Sequence, residues 1–120
     1  MLSDMLTSVL KELNGASADI EASAVISTDG LMMASVLPQG LDEDRMGAMS
    51  AAMISLGDRT AQELARGTLE QVLIKGARGY VLMTGAGDES VITVLAKPNT
   101  KLGLVFLDVK RAAESIGKML

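Results

Sequence analysis

The 120-residue chain contains no cysteine and no histidine, so thiolate nucleophiles, imidazole general bases and the common zinc ligand sets are excluded at once. Any chemistry falls to carboxylates, Lys, Arg, Ser, Thr and the single Tyr80. Four groupings have chemical potential. Arg59 and Arg66 share the polar sector of one helix and could offer a guanidinium to a transferring phosphate, but they read more simply as a solvated helix face. Gly85-Ala86-Gly87 is a fragment of a glycine-rich phosphate loop. It lacks the third glycine, the Lys-Ser/Thr pair and the following helix, which leaves a hairpin turn. Asp42, Glu43 and Asp44 could gather a cation, yet the first turn of a helix favours carboxylates on its own account. Nine methionines, among them Met32, Met33, Met46, Met49 and Met53, could form a pliable partner-binding surface. They could equally fill a core whose only aromatics are Tyr80 and Phe106. None of these groupings makes an autonomous active site, and no catalytic residue, cofactor or metal is expected.

The composition describes what must carry these residues. With 48% apolar residues and two prolines, the chain is an ordered globular protein, and its length fits one domain, residues 1–120. Eleven basic residues against fifteen acidic ones give a net charge of −4, the wrong sign for a general attraction to nucleic acid or anionic lipid. Basic residues are scattered, with Lys110-Arg111 the only adjacent pair. Apolar runs such as Val91 to Ala96 stop far short of the roughly 18 residues of a membrane span. The segment Met1-Leu2-Ser3-Asp4 has no basic n-region. A soluble cytoplasmic protein without direct membrane insertion is the expectation.

Ser3 can cap a short amphipathic helix carrying Leu6, Val9, Leu10 and Leu13, with Asn14-Gly15 as its stop. Ala22 to Thr28 and Leu31 to Leu37 flank Asp29-Gly30, a preferred hairpin dipeptide. After Pro38-Gln39-Gly40, Asp42 caps a long helix running to about Arg66, with Gly67 as its stop. Thr68 to Lys75, Tyr80 to Thr84 and Ser90 to Ala96 read as three strands joined by short glycine-containing turns. Val81-Leu82-Met83 and Val91 to Leu95 are almost continuously apolar, so helices should cover both faces of the sheet. The segment from about Leu102 reads as a final helix, although Leu104 to Leu107 is equally strand-like. The fold class is α+β, in the order helix, strand, strand, helix, strand, strand, strand, helix. It predicts a five-stranded, mostly antiparallel sheet.

On a helical wheel the long helix divides into three sectors. Met46, Met49, Met53, Leu56, Thr60 and Leu64 form an apolar stripe expected to pack on the sheet. Gly47, Ser50, Ile54, Gly57, Ala61 and Ala65 form a neighbouring ridge of mostly small residues. Ser55, Asp58, Arg59, Gln62 and Arg66 form a polar sector facing solvent or a partner. Each interior helical glycine costs about 1 kcal/mol relative to alanine, and close approach of another backbone offsets that cost. The ridge is expected to lie against its own copy in a twofold dimer; the other reading seats it against a loop of the same chain. Thr68 to Lys75 reads as a candidate edge strand, where Glu70, Gln71 and Lys75 blunt the edge or a sister strand completes it. Leu69 and Gln71 then join the dimer interface.

Several of these segments resemble one known family. They are Ser27-Thr28-Asp29-Gly30-Leu31-Met32-Met33-Ala34, Ala48-Met49-Ser50-Ala51-Ala52 with Leu56-Gly57 and Ala61-Gln62-Glu63-Leu64, Gly67 to Ile74 with Gly79-Tyr80, and Leu102-Gly103-Leu104-Val105. Each is similar to the matching part of the roadblock (dynein light chain) family, above all its short prokaryotic Mgl-type members, partners of a small GTPase. The resemblance covers nearly the whole chain. It implies a roadblock, profilin-like sandwich that homodimerises through the long helix and the following strand, giving a sheet continuous across the dimer. It further implies a non-catalytic regulator or platform for a Ras-like GTPase, one that in some members stimulates GTP hydrolysis. The alternative is a structural light-chain-like subunit that binds its complex regardless of nucleotide. On the first reading the partner rests on Ser55, Asp58, Arg59, Gln62 and Arg66.

Overall fold

The computed structural model describes all 120 residues. The elements are α1 (Leu2–Ala16), β1 (Ile20–Ser27), β2 (Met32–Val36), α2 (Glu43–Glu63), β3 (Gln71–Gly76), β4 (Gly79–Gly85), β5 (Ser90–Ala96) and α3 (Leu102–Met119). This is the order expected from the sequence. The strands form one sheet in the order β2-β1-β5-β4-β3, antiparallel at every pairing.

The alternation along β5 decides the layers. Ile92 and Val94 point to one face and join the main core with Leu6, Leu10, Val105 and Val109 of α1 and α3. Val91 and Thr93 point to the other face, where α2 lies. Helices on both faces are what the unbroken apolar character of β4 and β5 requires. The ambiguous stretch Leu104 to Leu107 is helical, because Val105, Val109, Ala112, Ala113 and Ile116 recur at helical spacing and are all buried.

Local signals held at one helix end and failed at another. The Asp42 side chain accepts a hydrogen bond from the Arg45 backbone N–H at 3.1 Å, capping α2 as expected. Ser3 does not cap α1, which begins at Leu2 without a side-chain cap. Asn14 does not stop it either. Its side chain instead accepts a hydrogen bond from buried Ser23 Oγ at 2.7 Å, tying the helix to β1.

The α2 face of the sheet can be followed row by row across the strands. Ala24, Thr93, Met83 and Val72 are opposed in one row, and Leu95, Val81 and Ile74 in the next. α2 runs along the first row. It meets β1 where Gly47 approaches Ile26 and the Gly30 backbone, β5 where Ser50 meets Thr93, and β3 where Gly57 approaches Val72. From β1 to β3 is three strand spacings, about 14 Å. Ten helical residues rise about 15 Å. The helix therefore crosses the sheet nearly at right angles to the strands.

Candidate functional site

The two apolar sectors of α2 exchange the places expected for them. The small ridge faces the sheet of its own chain: Gly47 and Ser50 are buried, and Ile54 packs with Ala24, Ile26 and Val91. A Cβ on Gly47 would run into the Gly30 carbonyl oxygen, and one on Gly57 would stand 3.0 Å from Val72 Cγ2 and 3.2 Å from Leu69 Cδ2. Gly47, Ser50 and Gly57 are therefore not a surface free for a second copy. The close approach that offsets the helical glycines is intramolecular, to the backbone of the β1–β2 turn at Gly47 and to the side chains of Leu69 and Val72 at Gly57. Ile54, Ala61 and Leu69 are half-buried at the margins of the same seam, and only Ala65 and Gln71 of the expected interface are exposed.

The large apolar residues take the outer position. Met49 is 61% exposed, Leu56 59% and Leu64 64%, while Met46 and Met53 are half-buried on the same flank. Of the stripe read as the core face, Met46 alone packs on the Ala24, Ile26 and Val91 cluster, and Met49, Leu56 and Leu64 form an uncovered surface. Hydrophobicity alone could not separate the two sectors, because what seats a helix across a sheet near a turn is the smallest face, not the most apolar one.

Two further uncovered apolar features lie beside this flank. The row Leu95, Val81 and Ile74, next to the one that α2 occupies, has no helix above it and borders a shallow hollow of about 490 Å³. β3 pairs only with β4, and five of its six residues are exposed, Leu73 and Ile74 among them. Lys75 lies over the Tyr80 ring at 5.9 Å and stays on its own sheet face.

The polar sector faces outward as expected. Ser55, Arg59, Gln62 and Arg66 are exposed and Asp58 is half-buried. Gln62 Nε2 donates to Asp58 Oδ2 at 3.1 Å, Arg59 Nε donates to Glu63 Oε1 at 3.1 Å, and Arg66 Nε donates to the Leu64 carbonyl at 3.1 Å. These five residues lie along one flank of α2 and its C-terminal turn. Asp42 caps α2 and Glu43 accepts a hydrogen bond from Ser35 Oγ at 2.9 Å; no group of three or more such residues is arranged to hold a metal ion. Gly85-Ala86-Gly87 lies at the β4–β5 turn, where the Ala86 backbone N–H bonds the Ser90 carbonyl at 2.9 Å. No helix is long and apolar enough to cross a membrane.

A single-domain sandwich with one helix crossing the face opposite the terminal pair is a shape that known proteins can be compared against. The model of the Roadblock/LC7 domain matches residues 6–96. The chain belongs to the Roadblock/LC7 domain family. An uncharacterised protein of Methanocaldococcus jannaschii is 44% identical over 115 residues, covering 96% of this chain and 99% of that one. Among solved structures, an MglB in a tetrameric arrangement superposes with a TM-score of 0.90 at 20% identity, over 98% of this chain and 89% of the other. Profilin II of Acanthamoeba castellanii does so with a TM-score of 0.66 at 16% identity, over 96% and 99%. At such identities the likeness is one of fold, and it places this roadblock domain among profilin-like sandwiches of the MglB type.

Proposed function

We propose that this roadblock protein is a non-catalytic, self-associating regulator that serves as a platform for a Ras-like small GTPase. The observation that carries the proposal is the division of α2 into two working flanks in a fold of the MglB type. One flank bears exposed Met49, Leu56 and Leu64, the apolar surface a second copy would cover. The other bears the polar set Ser55, Asp58, Arg59, Gln62 and Arg66, all exposed except half-buried Asp58. Self-association is supported by the tetrameric arrangement of the similar MglB and by the unprotected edge at β3.

On this reading the GTPase rests on the polar flank, and the regulator acts by holding the GTPase's own catalytic groups in place. Arg59 contributes a charge at the contact. Stimulation of GTP hydrolysis follows if that contact orders the GTPase's switch segments. The cytoplasm, where such GTPases work, is the proposed location.

The test is co-elution of the purified protein with candidate GTPases loaded with GTP or GDP, followed by turnover assays on any that bind. Nucleotide-dependent association supports the regulator. Binding that ignores the nucleotide would point instead to a structural subunit of a larger complex, and GTP turnover by the protein alone would contradict the non-catalytic reading.

A further inference from the structure

The face of the sheet opposite α2 is roofed by helices at a regular interval, and the roof stops one strand short of the edge. α1 packs over β2 and β1, and α3 over β5 and β4. Packed helices stand about 10 Å apart, and two strand spacings measure about the same, so each helix roofs two strands. The fifth strand, β3, has no helix above it on this face. We infer that the strip over β3 is the docking place for one amphipathic helix of a partner protein, shared between two copies of the chain. The inference rests on the self-association proposed above, taken at the β3 edge. It adds a second partner, on the face away from the α2 flank on which the GTPase is proposed to rest.

Strand alternation decides what the strip offers. Val72 lies against Gly57 of α2, so Gln71, Leu73 and Lys75 point to the α1/α3 face. Leu73 is 42% exposed there, opposite Leu82 of the main core. Between the strip and α3 runs a groove of about 720 Å³, whose walls include Gln71, Thr84, Phe106, Leu107 and Lys110. Leu107 is 44% exposed and Phe106 is half-buried. The groove follows α3 from Gly103 to Gly117, about 21 Å or four helical turns. α3 itself lies along the strands, because it starts beyond the Ala96 end of β5 and its Gly117 reaches Gly87 in the turn at the other end. A helix seated in the groove therefore runs along β3 beside α3.

One copy offers that helix a single strand, about half the width a helix covers. Continuing the sheet at β3 sets a second β3 beside the first, and the strip becomes two strands wide. Each copy has five strands and two helices on this face, so the doubled sheet has five helix places and fills four. The open place straddles the twofold axis, between two α3 helices about 19 Å apart, twice the spacing of packed helices. A segment of the chain itself would arrive twice, once from each copy, at a place with room for one. The occupant is therefore a helix of a different protein. A lipid surface is a poor fit, because the apolar floor lies in a trough between two helical ridges. Leu73, Phe106 and Leu107 call for an apolar stripe on the incoming helix. Lys110, Glu70 and Glu114 line the groove, are exposed and form no ion pair, so its flanks carry charges of both signs.

The probe is a displayed library of amphipathic helical peptides of about 18 residues, five turns, with varied apolar stripes and charged flanks, selected on the full-length chain. Selected peptides should bind as one peptide per two chains in native mass spectrometry. Leu107→Glu on the groove wall and Leu73→Gln on its floor should each weaken them by about tenfold or more. Leu104→Glu, at a position 59% exposed on the same helix but outside the groove, should leave them unchanged. All three positions are exposed, and circular dichroism checks that the variants keep the fold. Peptides indifferent to both groove variants, or two peptides bound per two chains, overturn the inference. So does binding to phosphatidylglycerol vesicles that Leu107→Glu abolishes, which would assign the strip to lipid. A dimer that yields no groove-dependent peptide refutes the docking place and leaves self-association standing. A chain that sediments as a monomer and binds one peptide per chain refutes both the shared place and the self-association beneath it. Leu107→Glu should not alter GTPase binding at the α2 flank.

Discussion

Gly47 and Ser50 lie one turn apart on α2, and each makes a contact for which a larger or less polar side chain has no room. At Gly47 the obstacle to a Cβ is the Gly30 carbonyl, and Gly30 itself occupies φ +91, where side chains are strained. Gly47→Ala would gain about 1 kcal/mol of helix propensity, but displacing backbone in a packed seam costs about 1–3 kcal/mol. The expected net result is a lower urea midpoint. Gly57→Ala should be close to neutral in the same measurement, because its new methyl meets only the branched tips of Val72 and Leu69. At Ser50 the contact is a hydroxyl pair. Thr93 Oγ1 donates to Ser50 Oγ at 2.9 Å, and both residues are about 1% exposed. Ser50→Ala strands the Thr93 hydroxyl and should cost about 1–3 kcal/mol, whereas the double change with Thr93→Val should cost less than the two single changes together.

Element α2 carries the proposed functional surface, and substitutions on its flanks test fold and association separately. Ile54 packs with Ala24, Ile26 and Val91, so Ile54→Lys should lower stability whatever the assembly state, seen as an earlier unfolding midpoint in dilute solution. Leu56→Asp, at an exposed position, should instead leave the monomer's stability within about 0.5 kcal/mol and reduce the sedimentation coefficient to that of a single copy. Arg59→Glu tests the opposite flank. The Arg59–Glu63 ion pair is exposed on both sides and contributes little to stability. The variant should therefore keep its fold and its self-association and lose nucleotide-dependent binding to the GTPase. An Arg59→Glu protein that still binds the GTP-loaded partner normally would move the contact away from this flank.

The whole molecule is a sheet closed unequally on its two faces. α1 and α3 seal one face over the main core, while α2 covers the Ala24–Thr93 and Ile26–Val91 rows of the other and leaves the Leu95–Val81–Ile74 row and the β3 edge bare. A protein whose remaining apolar surface is buried by a second copy gains stability with concentration. Its thermal midpoint should rise by several degrees between one and a hundred micromolar, and Leu64→Asp should abolish that rise. A midpoint of the native protein that ignores concentration would show that the bare row stays in water.

The element order, the antiparallel sheet and the two-sided helical cover were legible in the sequence, because they follow from local signals. The Asp29-Gly30 turn, the Asp42 cap and the unbroken apolar runs of β4 and β5 each act over a few residues. The polar flank from Ser55 to Arg66 was legible for the same reason, since charge placed on a helix surface stays in water. Which of the two remaining α2 sectors faces inward was not legible. Met49, Leu56 and Leu64 are more hydrophobic than Gly47, Ser50 and Gly57, and a hydrophobic stripe normally marks the buried side. Tertiary structure reversed that order because α2 crosses the sheet close against the β1–β2 turn and β5, where Gly47 and Ser50 have room only for a hydrogen atom and a hydroxyl. Side-chain volume at the seam, set by segments distant in sequence, outweighed hydrophobicity along the helix and turned the large apolar residues outward.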